Sequence, residues 1–171
     1  MKIRLIGATV TAIAILGVGF TGATQAAQPS LVSAAKKYTT ITLNQGVPKL
    51  STTTLNFGSI PETMVIFSAP LTNTKGAPFG EVVGGLNTFD ITLEELKSET
   101  RYRELTFILP GGQIVANGTS EYVGADTELQ ANAPVTIAVI GGTGKYIGAR
   151  GEVTTRRNSD GTYRHVLKLL K

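Results

Sequence analysis

From residue 51 to the end, this 171-residue chain alternates apolar and polar residues in runs separated by short clusters of Gly, Pro, Asn, Asp and Ser. Apolar side chains at every second position mark strands with one buried face. Arg101–Leu109 shows the pattern, with Leu105, Phe107 and Leu109 on one face. Pro110-Gly111-Gly112 then turns, and Gln113–Tyr122 returns as its partner. The other runs are Thr52–Phe57, Thr63–Ala69, Phe79–Thr92, Pro134–Ile140, Tyr146–Arg156 and Thr162–Leu170. Leu93–Glu99 is the one helix-like stretch, too short to hold a helix alone, and reads as a long hairpin connection. Parallel strands need crossovers, whereas hairpins make antiparallel neighbours, so seven or eight antiparallel strands are predicted. A barrel or a sandwich fits this all-β class. Long strands with internal glycines, such as Gly84 and Gly85, favour an eight-stranded antiparallel β-barrel with a bend or bulge there. A barrel of that size is wide enough for one small ligand.

The N-terminus has a different character. Lys2 and Arg4 precede an uncharged, mostly apolar run, Leu5–Phe20, and then the small and polar residues Thr21–Ala27. This is the pattern of a secretory signal peptide over 1–27, cleaved after Ala26 or Ala27. The run is shorter than the roughly 20 residues of a membrane span. A secreted protein, extracellular or periplasmic, with no stable membrane anchor after cleavage is therefore expected. Residues 28–50 read as an N-terminal tail or leading strand, with a short strand at Tyr38–Leu43, and 51–171 as the barrel domain.

Composition excludes several chemistries. The chain has no cysteine and one histidine, so disulfides, thiol nucleophiles and sites built on Cys or several His ligands are absent. No metal or cofactor is expected. Sixteen basic and twelve acidic residues give +4, and without Lys2 and Arg4 the balance is +2. Bases and acids are interspersed, which argues against a nucleic-acid partner. Gly141-Gly142-Thr143-Gly144-Lys145 lacks the spacing of a phosphate loop, and a strand follows it rather than a helix. Its glycines read as a tight turn. His165 lies mid-strand, either as a structural group or as half of a His–carboxylate pair. Asn117-Gly118-Thr119 matches a glycosylation acceptor. Asn87 shares a face with Gly85 and Phe89 and needs a hydrogen-bond partner from a neighbouring strand or a ligand. Arg150 and Glu152 share a strand face and are candidates for a pair at the rim or between subunits.

Three stretches carry a resemblance. Gly141 to Val153, with Gly141, Gly142, Gly144, Ala149, Arg150 and Gly151 as its structural motif, resembles the signature of dirigent and allene-oxide-cyclase-like β-barrels. Phe67–Asn73, followed by Gly80 to Leu86, is similar to the second and third strands of that family. Leu109–Ile114 is similar to a hairpin of bacterial members with signal peptides. The resemblance implies an eight-stranded barrel with an apolar cavity, often a homotrimer. It also implies a small apolar or aromatic ligand whose cyclisation or coupling is steered by holding one conformation. Whether this chain turns substrate over is left open: an isomerase-like or dirigent-type barrel is one reading, a non-catalytic binding or structural barrel the other. Asn56, Asn87 and Phe89 are the pocket-lining candidates, with the two amides orienting the ligand. Asn56 matches an Asn of allene oxide cyclases, but Thr54 replaces their Glu, Asn87 their Cys and Ala69 a further Asn. The missing carboxylate argues against epoxide cyclisation.

Overall fold

The computed structural model describes residues 37–57, 60–89, 98–123 and 128–171. The signal-peptide region, the break at Gly58-Ser59 and most of the helix-like stretch lie outside these residues. Among the described residues there are nine strands: β1 (Tyr38–Gln45), β2 (Lys49–Phe57), β3 (Ile60–Thr72), β4 (Pro78–Phe89), β5 (Ser98–Leu109), β6 (Gly112–Val123), β7 (Val135–Gly142), β8 (Gly151–Arg157) and β9 (Tyr163–Leu170). Every strand pairing is antiparallel. The order runs β1-β9-β8-β7-β6-β5-β4-β3-β2, and β1 also pairs with β3 through Asn44↔Thr72 and Gln45↔Leu71. That contact closes eight strands into a barrel and leaves β2 as an outer strand on β3.

The leading strand is integral to this closure. β1 pairs with β9 along its whole length, so the leading strand within 28–50 is part of the barrel among the described residues. The turns follow local chemistry. Asn73 Oδ1 accepts from the amides of Lys75 and Ala77, which ties the β3–β4 hairpin. Asp160 accepts from Thr162 between β8 and β9.

The bend or bulge expected at Gly84 and Gly85 is absent. Register with β3 and β5 runs unbroken through both glycines, and the irregularity in the β3–β4 pairing falls at Leu71/Thr72. Gly84 serves packing instead. A methyl group there would stand 2.5 Å from the Phe67 ring and 2.8 Å from the Glu104 carbonyl.

Inward side chains alternate along each strand. One end of the interior is filled by Leu71, Val82, Leu105, Phe107, Ile114 and Leu167, all but inaccessible to solvent. Two turns seal that end. Lys145 N donates to the Gly111 carbonyl and Thr143 N to the Gln113 carbonyl, both at 2.9 Å. No described helix is long and apolar enough to cross a membrane.

Candidate functional site

At the other end the same inward faces turn polar. Arg101 and Arg103 continue the face of β5 that carries Leu105, Phe107 and Leu109, and each is 4% exposed. Their neighbours include Gln45, Thr88, Ser120, Tyr122, Thr155 and His165, all buried. A smaller apolar cluster of Val65, Leu86, Tyr122, Leu129 and Tyr163 sits beside them. A pocket opens between Pro48 and Leu50 on one side and Glu128 and Leu129 on the other, with Arg103 and Tyr122 lining it. Its free volume is about 20 Å³, enough for one water molecule.

Arg103 is the unusual member. Among the described residues it has no hydrogen-bond or ion-pair partner, and its Nε is buried and unsatisfied. Burial lowers its pKa from the ordinary arginine value. An arginine stays cationic even so, and an unpaired buried cation is costly. Arg101 is held differently: its guanidinium lies 4.4 Å from the centre of the Tyr122 ring.

The mouth carries its own ionic lock. Glu128 accepts from the Tyr163 hydroxyl at 3.0 Å and from Arg157 Nη2 at 2.7 Å. Both carboxylate oxygens are thereby engaged. Burial and the Glu128 charge raise the Tyr163 pKa, which keeps its hydroxyl a donor. Arg157 is raised by its hydrogen bond to Glu128. Asn132 N donates to the Arg157 carbonyl at 2.8 Å, which ties the segment after Leu129 to β8.

His165 is a structural group. Its Nε2–H donates to Gln45 Oε1 at 2.7 Å, and its Nδ1 accepts from Thr155 Oγ1 at 2.9 Å. The carbonyl oxygen of Gln45 can only accept, which fixes the tautomer. Phe107 meets the ring edge-on at 5.1 Å. Burial, with the Arg103 charge second, pushes the His165 pKa down to about 3. Neither ring nitrogen meets a carboxylate, so the His–carboxylate arrangement does not form.

Of the lining candidates, only Asn87 has a described side chain, and it does not line this pocket. Asn87 projects to the outside of β4, since Val82, Leu86 and Thr88 are the buried positions of that strand. It borders an outer groove with Met64, Ile66, Val83 and Tyr102. Alternation alone does not say which face of a strand is inward, and Phe89 and Ile91 made the Asn87 face read as the apolar one. Asn56 sits in the outer strand β2 opposite Pro61, and Phe89 ends β4 opposite Glu62. Their side chains lie outside the described residues.

The glycine motif is a structural seam. Gly141 and Gly142 end β7, and Gly144 opens a single 3-10 turn with φ +58°. A methyl group on Gly144 would overlap the Gly111 carbonyl at 2.1 Å, and one on Gly151 the Lys168 carbonyl at 1.9 Å. Ala149 packs on the core. Arg150 and Glu152 do not pair. Glu152 faces Lys168 across the β8–β9 ladder and bonds it at 3.0 Å, while Arg150 donates to the Ala149 carbonyl. Asn117 is in a paired strand and contacts the Tyr102 hydroxyl.

Sequence reasoning missed Arg103, Tyr122, Glu128 and Leu129. The signal for the arginine was present: it shares the parity of Leu105, Phe107 and Leu109. A strand face that is buried at one end is aimed into the barrel at the other.

These features define a closed eight-stranded antiparallel barrel, packed at one end and polar at the other. The profile of the dirigent-like protein family matches residues 28–169. The chain belongs to that family. Among solved structures it is similar to a pyocyanin demethylase at 27% identity and TM-score 0.57, covering 77% of this chain and 99% of that one. It also shares its fold with AbnU, an exo-specific intermolecular Diels-Alderase, at 14% identity and TM-score 0.59, covering 81% and 100% of the two chains. The pterocarpan synthase dirigent protein GePTS1 aligns at 18% identity and TM-score 0.50, covering 81% and 86%. No curated protein sequence matches the chain.

Proposed function

We propose that this protein binds a small apolar or aromatic molecule at the polar end of its barrel and steers that molecule's cyclisation or coupling. The observation that carries this reading is the division of the interior. The packed end suffices for a hydrophobic core, whereas the other end buries Arg103 without a partner beside an opening. Buried polar groups that folding does not need are candidates for function. The similar barrels named for a cycloaddition, a demethylation and a pterocarpan synthase dirigent protein support a site for small organic molecules. Catalysis in such a site rests on holding one reactive conformation, for which the donors of Arg103 provide an anchor.

The pocket holds one water as it stands, so a larger ligand enters by displacing Leu50 or Leu129. That same small volume favours the second reading, a barrel without turnover. A panel of phenolics and oxylipins separates the two. One molecule bound per chain, a melting midpoint rising with ligand concentration and a changed product or enantiomer ratio support steering. No shift from any member of the panel favours the structural barrel.

Two further expectations stay with this reading. The pattern at 1–27 directs secretion, tested by the N-terminal sequence of the protein recovered from culture medium. The resemblance implies a homotrimer, and exposed Ile66, Tyr102 and Ile108 on the outer face of β3 and β5 offer apolar surface for self-association; native mass spectrometry tests the stoichiometry.

A further inference from the structure

We infer that Arg103 is an oxyanion receptor, and that the ligand of the mouth carries an ionised oxygen, a carboxylate or a phenolate or enolate. This rests on the binding site proposed above and specifies the chemistry of its ligand. Three observations on neighbouring groups lead to it. Arg103 is 4% exposed, lines the pocket and has no hydrogen-bond or ion-pair partner among the described residues. The carboxylate at that opening, Glu128, is occupied by Tyr163 and Arg157. The nearby His165 is committed to Gln45 and Thr155. Among the described residues, the surroundings of Arg103 thus hold no counterion for it.

The geometry suits an oxygen at the base of the site with an apolar body above it. The free space beside Arg103 is about 20 Å³, the size of one water. Leu86, Phe67, Leu129 and Leu50 line the same pocket. A guanidinium pairs with carboxylates and other oxyanions through its planar fork of donors, and such charge-assisted bonds are among the stronger ones. A bound anion would also remove the penalty of the unpaired charge, so ligand binding and relief of burial cost are the same event.

The probes are 4-nitrophenol, 4-nitrobenzoate and the neutral 4-nitroanisole, titrated into the full protein at neutral pH. The expected result is that the two ionisable probes bind about tenfold or more tightly than the anisole. Bound 4-nitrophenol is expected to show the phenolate absorption at a pH where the free compound is protonated. Comparison of the two ionisable probes distinguishes a carboxylate site from a phenolate site. Arg103→Met is expected to abolish the preference and the absorption shift while keeping the fold, read from its circular dichroism and melting. Arg103→Lys keeps the charge without the fork and is expected to retain part of the preference, so a loss in Arg103→Met is not mistaken for collapse of the site. Equal binding of all three probes would overturn the oxyanion inference and leave the mouth site standing. Binding of none of them would overturn the inference and count against the site itself.

Discussion

The two ends of this barrel are built from the same strands and solve opposite problems. At the sealed end, β5 contributes Leu105, Phe107 and Leu109, and two glycine turns interlock above them. At the open end, the same face of β5 contributes Arg103 and Arg101. The first end removes apolar surface from water and gains stability. The second buries a cation with no described counterion and loses some. Two residues along β5, from Leu105 to Arg103, therefore separate the packed part from the part that buries an unpaired cation. The lesson is that a buried polar group should be judged by its partners: His165, equally buried, is fully satisfied and belongs to the structure.

That contrast can be broken from the sealed end first. Phe107→Ala empties the centre of the packed half and is expected to cost about 3–5 kcal/mol in urea denaturation. A cost near 1 kcal/mol would mean that the sealed end is not the stabilising one. Leu129→Ala, at the mouth, is expected to cost about 2 kcal/mol, the low end for a buried leucine, because the opening lets neighbours relax. It should also speed 4-nitrophenol association in stopped-flow mixing if Leu129 guards the entrance.

The pH dependence sharpens the same comparison. His165 has a folded pKa of about 3 against an ordinary 6.5. The unfolded chain therefore binds a proton that the folded chain refuses. The stability contributed by neutral His165 is full above pH 6.5 and is lost as pH falls toward 3. Its limiting slope is about 1.4 kcal/mol per pH unit. His165→Gln, which cannot titrate, should flatten melting curves between pH 6.5 and 5 relative to the parent. The smallest effect belongs to the outside: Glu152→Ala breaks a half-exposed pair with Lys168 and is expected to change stability by less than about 1 kcal/mol.

Much of the barrel was legible because alternation and turn chemistry are local. Leu105, Phe107 and Leu109 announced a buried face, and Pro110-Gly111-Gly112 announced the hairpin. The site was harder to read, for two physical reasons. Which face of a strand points inward is decided by partners distant in sequence. In β4 the buried positions are Val82, Leu86 and Thr88, and Gly84 shares their parity, which puts Asn87 on the outer face. The second reason is that Glu128 and Leu129 lie between strands, where no period announces them; they reach the mouth through contacts with Tyr163 and Arg157 on later strands. The glycine motif drew attention through its composition, and its role proved to be backbone approach rather than chemistry.

The most direct test of a functional mouth is the stability of Arg103→Met without ligand. Replacing a buried unpaired cation by an apolar side chain of similar length should leave the protein unchanged or raise its stability by about 1–4 kcal/mol, while 4-nitrobenzoate binding is lost. A destabilisation of several kcal/mol would show that Arg103 holds the fold, and would contradict the division between a structural end and a ligand-binding end.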